Sequence, residues 1–246
     1  MKWTEKYRVS THDTDINQRL SLTGILRYLQ ETAFYHMENT KPSYQELFSE
    51  GKAFLINRMT LSVYREIYSH DEIEVETWAS ESAGLAFNRC YRLRRRGEIA
   101  AEAIAVWSLY NFRDKRFIRV SDFENGYGEE PMLELDMPKR FHIPRETELS
   151  LVGEHTVRYI DADLNRHMNN TVYGDFFCGF LPDMTGKHVI KFDINYRNEA
   201  PLGESVKVYL KDAGEGTDLL RSVCGGKTNA EAMIMVENIE AQNKLH

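Results

Sequence analysis

Apolar and polar residues alternate along most of this chain, and the alternation breaks twice into a spacing of three and four. The alternating or β-former-rich segments are 53–64, 72–80, 85–94 and 99–111, then 188–197, 205–211, 218–224 and 230–240. Short polar turns separate them, which predicts antiparallel strands. The first break follows Ser21, a good N-cap, and puts Leu22, Ile25, Leu26, Leu29 and Ala33 on one helical stripe. The second starts near Asn169-Asn170 and runs through Val172, Phe176, Phe177 and Phe180 to Pro182. Its apolar side chains point almost all round, so this helix needs cover on most sides. A helix needing cover and strands with one apolar face satisfy each other in an α+β fold: a long central helix wrapped by a curled antiparallel sheet.

The pattern occurs twice. Asp13-Thr14-Asp15-Ile16-Asn17-Gln18-Arg19 aligns with Asp161-Ala162-Asp163-Leu164-Asn165-Arg166-His167. Downstream, Glu66 followed by 71–75 matches Glu199 followed by 204–208, and Ala101-Glu102-Ala103-Ile104 matches Ala230-Glu231-Ala232-Met233. The order is kept while the spacing shrinks, as expected of a duplicated domain whose second copy has shorter loops. Residues 121–154 hold Pro131, Pro138 and Pro144 with Gly126 and Gly128 and keep no period. The expected organisation is an N-terminal domain 1–128, a linker 129–154 and a C-terminal domain 155–246.

A net charge of −7 disfavours nucleic acid, which needs a basic footprint. The polar N-terminus and the lack of any long apolar run argue against export and membrane insertion. Cys90, Cys178 and Cys224 are odd in number and widely spaced, which predicts no disulfide framework and no metal site, and a reducing cytoplasm fits them.

Residues 161–170 pack two carboxylates, three amides and an imidazole into ten positions ahead of a helix. Turn formation and capping account for such residues equally well. Two features point to chemistry. A helix N-terminus can hold a developing oxyanion, and the second copy has His167 where the first has Arg19, so only the second can exchange a proton near neutral pH. Glu199, where a β-rich run gives way to a turn, is either a general base or a solvated strand-end acid paired with Arg197.

The run Asp163-Leu164-Asn165-Arg166-His167-Met168-Asn169-Asn170, with Tyr196-Arg197-Asn198-Glu199, resembles the Asp-x-Asn-x-His-x-Asn-Asn and Tyr-Arg-x-Glu segments of acyl-ACP thioesterases, tandem hot-dog proteins. The resemblance covers nearly the whole chain. It implies hydrolysis of fatty acyl thioesters carried on acyl carrier protein, with no cofactor or metal, and a catalytic group of Asp163, Asn165, His167 and Glu199. Many plant members carry Cys after the catalytic Glu; this chain has Ala200, so cysteine attack gives way to activated water, with either Glu199 as the base or His167 as the base and Glu199 orienting it. Without a plastid-targeting extension, the chain resembles the bacterial members. The expected acyl pocket is in the first domain along Leu22, Ile25, Leu26 and Leu29, with Asn169 and Asn170 as further substrate contacts; core packing explains the four apolar residues as well. Arg92, Arg94, Arg95 and Arg96 with Lys115 and Arg116 form basic clusters able to steer an acidic carrier or to protect an edge strand. A homodimer is compatible with this organisation. A hot-dog acyl-CoA thioesterase or hydratase and a non-catalytic acyl-binding module are the competing readings.

Overall fold

The computed structural model describes residues 1–138 and 141–239, and the chain divides into two compact units, 1–138 and 139–246. The last residue of the expected strand 230–240 and the end of the domain assigned to 155–246 lie outside the described residues.

The first unit contains strands β1 (Lys2–Arg8), β2 (Lys52–Val63), β3 (Glu72–Ala83), β4 (Ala86–Arg95), β5 (Glu98–Asn111) and the short β6 (Arg116–Ile118), with helices α1 (Leu22–Glu38) and α2 (Tyr44–Ser49). The strands pair antiparallel in the order β1-β3-β4-β5-β2, with β6 on β5. Ser21 Oγ accepts from Gly24 N at 3.0 Å and starts α1, whose stripe of Leu22, Ile25, Leu26, Leu29 and Ala33 is buried.

The second unit repeats the plan with β7 (Ser150–Thr156), β8 (Lys187–Tyr196), β9 (Ser205–Gly214), β10 (Thr217–Cys224) and β11 (Lys227–Asn238), in the order β7-β9-β10-β11-β8. Position for position this is the order of the first unit, so both are hot-dog folds. The tight turns repeat too. Arg96-Gly97 and Gly225-Gly226 both have positive φ at each central residue, the two-residue geometry that matches strand twist.

One expectation needs correction. The second helix, α3 (Tyr173–Cys178), has only six residues, preceded by a 3₁₀ turn at Asn170–Val172. Gly174 and Gly179 weaken the helix and Pro182 lies just beyond it, so the aromatic run does not extend into a long rod. Within the expected linker 129–154, several described residues pack on the first unit. Leu133, Leu135 and Met137 pack on the buried cluster of Trp78, Cys90 and Ile104, and Trp78 Nε1 donates to Pro131 O at 2.9 Å. Its far end already belongs to the second unit, where Ile143 is buried and Ser150 opens β7.

Candidate active site

The turn from Asp163 to His167 is folded by its own first residue. Asp163 N donates to His167 O at 2.8 Å, Arg166 N donates to Asp163 O at 3.0 Å, and Asp163 Oδ1 accepts from Asn165 N at 2.8 Å and His167 N at 3.3 Å. The carboxylate stands in for a backbone acceptor, as Asp does in turns, and lets Arg166 adopt φ of 64°. The loop is then tied to the segment bearing Glu199: Met168 N donates to Ala200 O and Leu202 N to Arg166 O, each at 2.8 Å. These ties set His167 Nε2 3.4 Å from Glu199 Oε2.

The first unit has the same loop with different chemistry. Asp15 Oδ1 accepts from Asn17 N at 2.8 Å and Arg19 N at 3.0 Å, Gln18 takes φ of 61°, and Leu20 N donates to Ile67 O at 2.7 Å. There the closing pair is Arg19 Nη1 with Glu66 Oε1 at 3.3 Å. One copy thus carries an arginine–glutamate ion pair and the other an imidazole beside a carboxylate.

Exposure separates the members of the second pair. The His167 side chain is 29% exposed and that of Glu199 72%, so the carboxylate is open to water on the side away from the imidazole. Asn165 is exposed at the loop's tip. Arg197, the partner considered for Glu199, turns instead to the buried Glu231, donating from Nη2 at 2.7 Å and Nε at 2.8 Å, while Arg221 adds two more hydrogen bonds at 3.0 and 2.9 Å. Ala200 is buried, and its carbonyl serves the loop.

The two asparagines act locally. Asn169 Oδ1 accepts from Thr171 N at 2.9 Å and Thr171 Oγ1 at 2.8 Å, capping the 3₁₀ turn, and Asn170 O accepts from Tyr196 Oη at 2.9 Å. Thr171 N is therefore spent on a cap and Val172 N on Asn169 O, so these two backbone donors are not open to an oxyanion. A second imidazole–carboxylate pair escaped the sequence reading. His155 Nε2 lies 2.7 Å from Asp161 Oδ2, which also accepts from Arg158 N at 2.8 Å. Asp161 was visible in the loop motif, whereas His155 sits on β7 with no local signal. Its counterpart Asp13 accepts from Tyr28 Oη at 2.9 Å, so this position braces the loop in both copies.

The first unit holds a cavity of about 90 Å³. Leu22, Ile25, Leu26 and Leu29 do not line it; they are core. The walls come from Phe54, Phe87 and Phe123, packed edge to face with centroids 5.3 to 5.9 Å apart, together with Met37, Trp107 and Arg89. These residues come from α1, three strands and the segment after β6, which no single stretch of sequence reveals. The basic clusters are partly consumed: Arg92 pairs with Glu102 at 2.6 Å, Arg95 pairs with Asp71 and lies over the Tyr68 ring, and Arg116 is 3.7 Å from Asp114. Arg94 reaches only Gly97 O at 3.4 Å, and Arg96 and Lys115 sit exposed on tight turns with no ion pair among the described residues.

Two hot-dog units in one chain, each with an acid-closed loop before its helix, define a double hot-dog protein. Family models extend this: residues 1–124 match the acyl-ACP thioesterase N-terminal domain and residues 145–238 the acyl-ACP thioesterase C-terminal domain. The chain belongs to the acyl-ACP thioesterase family. It is 22% identical over 250 residues to the chloroplastic palmitoyl-acyl carrier protein thioesterase of Arabidopsis thaliana, covering 95% of this chain and 60% of that protein's length. Its fold is similar to the crystal structure of an acyl-ACP thioesterase from Bacteroides thetaiotaomicron, with a TM-score of 0.87, 17% identity and coverage of 96% of this chain and 98% of that one. The 12:0-ACP thioesterase from Umbellularia californica gives a TM-score of 0.81 at 18% identity, with coverage of 96% and 97%. No helix among the described residues is long and apolar enough to cross a membrane.

Proposed function

We propose that this chain hydrolyses acyl thioesters of acyl carrier protein, with the chemistry in the second unit. The observation that carries this reading is the His167–Glu199 pair at 3.4 Å, placed where the first unit keeps an Arg19–Glu66 ion pair. Glu199 accepts a proton from a water molecule as that water attacks the thioester carbonyl. His167, held by the Asp163 turn, orients the water and the carboxylate, and the Asn165 amide donates toward the oxyanion. Asp163 acts as a positioning residue, since its oxygen is occupied by backbone donors. The proton then passes to the departing thiolate, which leaves as the carrier's thiol while the acyl group becomes a free acid. A general base is worth ~10² to 10⁴ in rate and one oxyanion donor ~10² to 10³.

The first unit's aromatic cavity is the candidate site for the acyl tail, and the half-buried Arg94 with the exposed Arg96 and Lys115 are candidates for carrier docking. Thiol release from acyl carrier substrates, compared between wild type and Glu199→Ala, tests the reading. A loss of at least ~10²-fold in kcat is expected, and full activity in the variant removes Glu199 from the mechanism.

A further inference from the structure

The first unit's cavity contains a charge that the protein itself does not neutralise. Arg89, on β4, is 9% exposed and lines the cavity. Among the described residues its hydrogen bonds run only through Nη1, to His36 Nδ1 at 3.0 Å and Thr77 Oγ1 at 3.2 Å, and no carboxylate pairs with it. His36 offers no compensation: fully buried, it is held neutral down to about pH 4 by burial and by the neighbouring guanidinium. Glu129 lies on the same cavity but is exposed and makes no ion pair with Arg89. Ser80, also buried, lines the same cavity, and among the described residues its hydroxyl meets no partner besides the weak thiol of Cys90. An unpaired buried cation is costly unless an anion joins it. The same cavity is lined by the edge-to-face rings of Phe54, Phe87 and Phe123.

We infer that this cavity is a carboxylate-binding site, taking an apolar carboxylic acid whose carboxylate lies on the free edge of Arg89 and whose hydrocarbon part rests on the three phenylalanines. Guanidinium and carboxylate match in geometry, and pockets that are mostly apolar with a few convergent polar groups select ligands of this amphipathic kind. Two sources offer the chemistry: a free fatty acid, and an acyl group bearing a second carboxylate far from its thioester. The site stands on the cavity alone and does not depend on the hydrolytic reading.

Calorimetric titration of the full chain with octanoate and with octan-1-ol tests it. Octanoate is expected to bind at least ~10-fold tighter than the alcohol, as a charge-assisted hydrogen bond allows. Arg89→Met should lose that preference while still binding the alcohol, and Arg89→Lys, which keeps the charge, should retain part of it. Equal binding of acid and alcohol by the wild-type chain overturns the inference without needing any variant, and so does an Arg89→Met chain that still prefers the acid. Thiol release from octanedioyl half-thioester and octanoyl thioesters of coenzyme A separates the sources. A preference for the half-thioester that Arg89→Met abolishes assigns the carboxylate to the substrate; tight octanoate binding with no such preference assigns it to a free acid. Binding without any turnover would sink the hydrolytic reading and leave this site standing; turnover without acid preference would do the reverse.

Discussion

One difference between the two copies is a single side chain of the loop. Arg19 and His167 occupy the same place, each beside a glutamate, and an imidazole can pass a proton where a guanidinium cannot. Arg19→Ala should therefore leave kcat within a few fold of wild type, while His167→Ala should lower it by at least ~10²; steady-state thiol release on folded variants decides the matter. Equal losses would mean that the copies share the work. His36 gives a prediction about stability. Its folded pKa, about 4, is below the ordinary value of 6.5, so the unfolded chain takes up a proton first as pH falls. The stability it contributes is complete above about pH 6.5 and is lost between there and about pH 4, at up to ~1.4 kcal/mol per pH unit. Denaturant unfolding across this window should be steeper for wild type than for His36→Gln, and identical slopes would show that His36 is not held neutral.

At the level of elements, short-range signals were the legible ones. Strand alternation, the Ser21 cap and the acidic loop are set by neighbours in sequence, and the structure places strands, helix and loop within a few residues of where these patterns point. What escaped depends on distant partners. Glu231 is buried against Arg197, just past β8, and Arg221 on β10, and Glu102 pairs with Arg92 at the matching place in the first unit. The cavity walls are assembled from six separated segments, and Leu22, Ile25, Leu26 and Leu29 are not among their lining residues. The short α3 escaped because hydrophobic spacing reports which residues want cover and says little about where a glycine ends the helix. Two substitutions follow. Glu231→Gln leaves two guanidinium groups without a buried counter-charge and should cost ~3 kcal/mol in denaturant unfolding. Gly24→Ala should cost ~1 to 3 kcal/mol, because a Cβ there would lie 2.6 Å from Asp13 O, where α1 begins against its own loop.

For the whole molecule, duplication was readable because three matched pieces kept their order, and identical strand order in the two units now rests on hydrogen-bonded pairs. Charge was less readable. A total of −7 hides basic turns, and sequence alone did not reveal that Arg92 and Arg95 are already paired. If Arg94, Arg96 and Lys115 steer an acidic carrier, added salt should raise KM for acyl carrier substrates far more than for acyl-coenzyme A, since exposed charges more than ~8 to 10 Å apart are screened at ordinary ionic strength. Reversing Arg96 and Lys115 to glutamate should flatten that salt response and leave kcat alone; parallel responses for both substrates would discount steering.

The acid-closed loop is indifferent to the group it presents. Asp15 and Asp163 fold their backbones by the same bonds whether the final residue bears a guanidinium or an imidazole. Each half is in effect a socket whose chemistry can be exchanged without remaking the mould. Arg19→His, with Glu66 already in place, would set an imidazole beside a carboxylate in each of the two units.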